Sequence, residues 1–233
     1  MPREIASDYN NVREFLENYT LKHTDDQDFI ELTKRLQKRY FAIVTFFGEL
    51  NQLMQSPGQQ TDIGLLYLYE SYSDLGSTFF IALHGAYKPS KLMLRSSIET
   101  FCKGFFIDEY PEILKEKSVY VIFETIKNSA FLSSKNLNLN YNSIHNKYKE
   151  LCADTHTADE KNMGKIDRIG IFPSFDKAKL NNIADTYTTL IKDYLFLLTV
   201  KYNSFFHKMD YRNRDIILAQ LSRPQRAIVN GEI

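Results

Sequence analysis

Apolar residues recur at helical spacing along nearly the whole chain, and nowhere do they alternate as in a half-buried strand. From Gln27 to Met54 the stripe is Phe29, Leu32, Leu36, Tyr40, Ile43, Phe47, Leu50 and Met54, with Asp25 or Asp26 placed to cap the helix. Ser56-Pro-Gly58 then breaks the chain. Thr61-Asp62 opens a second helix, from about Ile63 to Gly85, carrying Leu66, Tyr69, Tyr72, Leu75, Phe79 and Leu83. The turn from Gly85 to Pro89 is short, so the next helix should pack back on this one as a hairpin. Pro89 suits the first turn of that helix, where its missing N–H is no loss, and Leu94, Ile98, Phe101 and Phe105 define a buried face.

The pattern continues with a helix from Glu112 to about Leu132, a polar Asn-rich loop from Ser133 to Asn140, and a shorter helix from Tyr141 to Ala153. A second loop runs from Thr157 to Pro173, either mobile or placed to cover a site. A last long helix spans about Asp176 to Lys208, and a final short one about Asp215 to Leu221. Residues 1–25 read as a short helix with the weak stripe Val12, Phe15 and Leu16; residues 222–233 read as a frayed tail. The expectation is an all-α chain, one domain over 1–233 with its core in 27–208, folded as a single antiparallel helical bundle.

Charge narrows the function classes. The chain has 29 basic and 29 acidic residues, so no overall field draws in nucleic acid or an anionic membrane. The densest basic cluster, Lys34, Arg35, Lys38 and Arg39, lies opposite an apolar stripe and reads as a solvated helix face. Two cysteines, Cys102 and Cys152, give neither zinc-finger spacing nor a disulfide framework and read as small buried thiols. The longest apolar run, Tyr194 to Val200, is too short to span a bilayer, and the N-terminus lacks the apolar segment of a signal peptide. A cytoplasmic protein with no membrane partner is expected.

Common chemical motifs do not occur. None of the five histidines stands in a His-Glu-x-x-His or paired Glu-x-x-His pattern, and there is no Gly-rich phosphate loop or nucleophile elbow. No metal and no cofactor is expected. Two segments set polar groups against the core. In Leu94-Arg-Ser-Ser-Ile-Glu99, Arg95 and Glu99 lie one turn apart at the edge of the apolar stripe. The other is Tyr148-Lys-Glu-Leu-Cys-Ala-Asp-Thr-His156.

Together these segments resemble prokaryotic helical proteins related to the HEPN superfamily (higher-eukaryote and prokaryote nucleotide-binding). In that group a Leu-Arg-Ser-x-x-Glu helix is followed by Tyr-x-x-Leu-Ser/Cys-x-x-x-His. The resemblance spans roughly residues 62 to 207 and rests on about six positions. It implies a HEPN-like helical bundle, a homodimer, and an RNA-cutting role in toxin–antitoxin or antiphage defence systems. Carried over, it places Arg95, Glu99, Tyr148 and His156 at the site of a metal-independent ribonuclease. The chain departs from the superfamily in one respect: no Arg is followed four to six residues later by His. The nearest substitute is Lys201-Tyr-Asn-Ser-Phe-Phe-His207, which makes Lys201 and His207 secondary candidates. A ribonuclease of this kind needs a proton-transfer group and a cation against the phosphate. Arg95 with His156, or Lys201 with His207, would supply both.

Each residue also has a plainer reading. Arg95 and Glu99 would fix helix packing, Tyr148 would be core with its hydroxyl on one of them, His156 would serve a helix end, and Lys201/His207 would be an exposed helix edge. The rival function is a non-catalytic interaction or dimerisation module that regulates a partner protein through aromatic-rich faces. A third is a nucleotide or small-molecule sensor beneath the 157–173 loop.

Overall fold

The computed structural model describes residues 3–21, 23–54, 62–155 and 171–232. Among them the chain is all-helical, with no strand. The helices are α1 (Arg3–Glu17), α2 (Gln27–Met54), α3 (Ile63–Leu83), α4 (Tyr87–Phe106), α5 (Val119–Ile126), α6 (Lys135–Thr155), α7 (Lys177–Lys201), α8 (Asn203–Phe206), α9 (Tyr211–Leu218) and α10 (Arg223–Val229). No described helix is long and apolar enough to cross a membrane.

Helix starts follow the capping chemistry of the sequence. Asp26 accepts from the Phe29 amide at 3.0 Å, Asp62 from Gly64 at 2.7 Å and Asp176 from Lys179 at 3.0 Å. At the end of α3, Gly85 N–H donates to Ala82 O and Ala86 N–H to Ile81 O, which closes the helix with paired bonds around a left-handed residue. Gly85 takes φ +80°, and a Cβ there would sit 2.3 Å from the Ser174 carbonyl oxygen. Only glycine fits this corner.

Two features set the core. The first is the closeness of α3 and α4, the most extensive helix pair. Gly64 stands against Gly104, Ser71 against Ser97 and Thr78 against Ser90, so numbers rise in one helix as they fall in the other. Ser71 Oγ donates to Ser97 O at 2.8 Å and Ser97 Oγ to Ser71 O at 3.1 Å, so two buried hydroxyls satisfy each other's backbones. The second feature is α7, which packs on α2, α3, α4, α6 and α10. Every residue from Asp193 to Thr199 is buried, as in a helix surrounded on all sides. Phe101 of α4 stacks on Tyr194 of α7 with centroids 3.8 Å apart and planes 4° from parallel. Leu94, Ile98, Phe101 and Phe105 are all buried.

Several expectations are corrected. The helix expected over 112–132 is three pieces: a 3₁₀ turn Pro111–Leu114, α5, and a second turn Ala130–Ser133. Side chains interrupt it. Glu116 takes the Ser118 amide at 2.6 Å, Lys103 caps the Glu116 carbonyl at 2.9 Å, and Glu109 takes the Ala130 amide at 2.7 Å. The Asn-rich loop is the first turn and a half of α6, because Leu137 begins a stripe continued by Tyr141, Ile144, Tyr148 and Leu151. The long last helix stops at Lys201, and the short one that follows is Tyr211–Leu218, capped by Asp210. Leu16, read as part of the weak stripe of the first helix, is exposed. The tail expected to fray is helical over Arg223–Val229, with Val229 buried.

Of the basic cluster on α2, Lys34 and Lys38 are exposed as expected, while Arg35 and Arg39 are tied to other helices. Arg35 bonds Asp185, Asn181 and Thr188 of α7, and Arg39 Nη1 donates to the carbonyl and side-chain oxygens of Gln220 at 3.0 and 2.9 Å. Arg39 is the more consequential, because Gln220 is buried. Its removal strands two buried acceptors, so Arg39→Met should lower stability by about 1–2 kcal/mol in urea unfolding.

Candidate functional site

The two sequence segments with polar groups beside the core fall on α4 and α6, which pack against each other. Leu94, Ile98, Phe101 and Phe105 bury one side of α4, and this rotation leaves Arg95 and Glu99 at its edge toward α6. On α6 the stripe through Tyr141 and Ile144 carries Tyr148 to the same place.

Three of the four principal candidates meet there. Glu99 Oε1 accepts from Arg95 Nε at 3.1 Å and from the Tyr148 hydroxyl at 3.0 Å. The Arg95 guanidinium carbon lies 5.5 Å from the centre of the Tyr148 ring. Tyr148 is buried, whereas the Arg95 and Glu99 side chains are each about one-third exposed, at 33% and 30%. One carboxylate oxygen thus holds both a cation and a phenol at a surface that solvent reaches. The guanidinium has five donors, and the bond to Glu99 uses one.

Electrostatics fixes the protonation states. Burial, with Cys152 and Glu99 beside the hydroxyl, pushes the Tyr148 phenol well above its usual value, so it stays a donor. Partial burial works against the Arg95 charge, but Tyr148, Cys152 and Glu99 outweigh it and the guanidinium is held more firmly charged than usual. The ion pair alone is worth little in stability, about 0.5 kcal/mol at most for an i,i+4 pair this exposed.

His156, the fourth candidate, lies outside the described residues, as do residues 157–170 of the loop expected over 157–173. Lys201 and His207 serve different parts of the fold. Lys201 Nζ donates to the Phe105 carbonyl, lies 2.8 Å from Asp108 Oδ2, and sits 4.9 Å above the Phe105 ring, which ties the end of α7 to the end of α4. His207 is exposed and its Nε2 donates to the Val229 carbonyl at 3.2 Å. The two side chains have no partner in common. The chain turns at Tyr202, so the helical register that would align them is lost.

One residue beside the cluster was passed over in the sequence. His145 stacks on Phe123 with centroids 4.3 Å apart, and the Tyr148 ring packs on the same Phe123 at 5.0 Å. Burial, then Lys149 and Lys127, lower the His145 pKa against the pull of Glu124, so the ring is neutral at pH 7. The signal was its position three residues before Tyr148, the spacing that puts two side chains on one helix face. Cys102, by contrast, is fully buried with its thiol pushed far up by burial, which makes it inert.

No protein-family model, no curated protein and no solved structure matches the chain.

Proposed function

We propose that the chain is a HEPN-like antiparallel helical bundle of the prokaryotic cytoplasm that cuts RNA without a metal, as an effector in antiphage defence. One observation carries the reading. Arg95, Glu99 and Tyr148, three of the four candidate site residues of the two resembling segments, converge at a solvent-reached edge between α4 and α6. In this reading the RNA 2′-hydroxyl attacks the adjacent phosphorus. The 2′-O–P bond forms, the P–O5′ bond breaks, and the products are a 2′,3′-cyclic phosphate and a 5′-hydroxyl. Arg95 binds the phosphate oxygens as charge accumulates on them. Glu99 and Tyr148 hold the guanidinium in place, His156 takes the 2′ proton, and a water molecule protonates the departing 5′ oxygen.

The test is cleavage of labelled RNA by the purified protein in chelator, with Arg95→Ala beside it. The wild type should cut, and the variant should lose about 10²–10³-fold in rate, the usual cost of one transition-state donor. Helix content by circular dichroism should not change. RNA left intact by the wild type would sink the reading.

A second reading is a non-catalytic module that dimerises or holds a regulatory protein. It is favoured by exposed large apolar side chains on α2 and α3, namely Phe41, Ile63, Leu66 and Phe80. Light scattering that shows a dimer, together with intact RNA, would select it.

A further inference from the structure

Tyr120 is the most exposed large apolar side chain among the described residues, at 74%. It does not stand alone. Phe123, Glu124 and Lys127 follow it at helical spacing, so the four share one edge of α5. That edge meets α6. His145 stacks on the buried Phe123 with centroids 4.3 Å apart and planes 17° from parallel, and Glu124 and Lys127 lie close enough to act on the His145 charge.

Ring contacts join this edge to the candidate site. The Tyr148 ring packs on the same Phe123 at 5.0 Å, and the Arg95 guanidinium carbon lies 5.5 Å from the Tyr148 ring centre. An aromatic step therefore runs from α5 to the cation that Glu99 and Tyr148 hold in place. The His145 ring is half-buried, with no hydrogen bond at either nitrogen among the described residues, which leaves a donor and an acceptor for a ligand.

Charge along the step is positive where it is not paired. Lys127 is matched by Glu124 at 3.6 Å and Lys147 by Glu150 at 2.7 Å. Lys117, just before α5, and Lys149, next to Tyr148, are exposed and in no ion pair among the described residues. Rings set among cations suit a strand that brings a flat base and a phosphate with every nucleotide. The base must be unpaired, because a duplex buries its base faces in its own stack.

We propose that the α5 edge is a base-stacking subsite for single-stranded RNA. An unpaired base lies on the Tyr120 ring beside His145, and its strand runs past Lys149 to the phosphate held by Arg95. The inference rests on the reading of the chain as one that cuts RNA, and it names the form of RNA taken. Tyr120 and His145 bind and have no part in the bond changes.

Binding of a short fluorescent oligoribonucleotide with 2′-O-methyl riboses, which cannot be cut, tests this on the full chain. The wild type should hold the single strand about tenfold more tightly than the same sequence in a duplex. Tyr120→Ala should weaken the single strand about tenfold and leave the duplex unchanged. Tyr120→Phe, which keeps the ring, should restore the wild-type affinity. The ring is exposed, so helix content should be the same in all three. A strand without bases should bind the wild type and Tyr120→Ala alike. Equal affinity of these two proteins for the single strand would overturn the subsite. So would a wild type that prefers the duplex or binds neither form. The ribonuclease reading fails separately: a strand held through Tyr120 but left intact when its 2′-hydroxyls are free keeps the subsite and removes the cleavage.

Discussion

Gly104→Ala should destabilise the protein by about 2–3 kcal/mol, although alanine is the better helix former. A Cβ at Gly104 would lie 2.6 Å from the Gly64 carbonyl oxygen, 2.8 Å from the Leu68 amide nitrogen and 2.9 Å from Tyr67 Cβ. Two of these are backbone atoms, which cannot swing aside as a side chain would. The helices must part, and the reciprocal Ser71–Ser97 bonds, two turns along, would stretch with them. The gain in helix propensity, about 1 kcal/mol, does not offset this. Gly48→Ala is the control, since that position on α2 is open with nothing within 4 Å. It should stabilise by about 0.5–1 kcal/mol. The check is the midpoint of urea unfolding for both variants. Equal and positive shifts would mean that α3 and α4 are not held at this separation.

The consequence reaches the candidate site. Arg95 and Glu99 lie on the same helix as Gly104, and Glu99 meets Tyr148 only while α4 keeps its place against α6. A variant that loosens α4 should therefore lose activity together with stability, whereas Arg95→Ala should lose activity alone. That separation distinguishes a site residue from a packing residue.

What the sequence made legible follows from periodicity and caps. The starts of α2, α3 and α7 were marked by Asp25 or Asp26, by Asp62 and near Asp176, of which Asp26, Asp62 and Asp176 cap, and the buried face of α4 by its four apolar positions, because both signals are local. Losses occurred where a distant partner decided. The Asn-rich start of α6 looks like a loop until Asn140 is seen satisfied by Asp193, 53 residues away. Arg35 and Arg39 look solvated until Asp185 and Gln220 come round from the C-terminal half. The 112–132 segment has a helical stripe, but Glu109 and Lys103 reach its backbone from outside, and Glu116 takes the Ser118 amide within it. At the site, helix spacing placed Arg95 beside Glu99, and only the tertiary fold shows Tyr148 closing on the same carboxylate oxygen.

Asp193→Asn should stabilise the protein at pH 7 by about 2–3 kcal/mol, or roughly 4–10 °C in Tm, and by almost nothing at about pH 3. The sign follows from the raised carboxyl. Unfolded, Asp193 ionises near its ordinary value of about 3.9; folded, it does so at about 6. Below about pH 3 both states hold the proton and the group is neutral to folding. As pH rises from about 3 to about 7 the unfolded chain releases its proton first, so the folded state loses ground, and above about 7 the deficit is constant. An uncharged amide of the same shape carries no such deficit. Its oxygen still accepts from Asn140, and Ser143 stands beside the new N–H₂. Thermal unfolding of both proteins at several pH values gives the answer, with curves that meet at low pH and separate above it. If the curves stay parallel, Asp193 is not ionised at a cost in the fold. If they separate, a core helix carries an acid that weakens the protein at neutral pH.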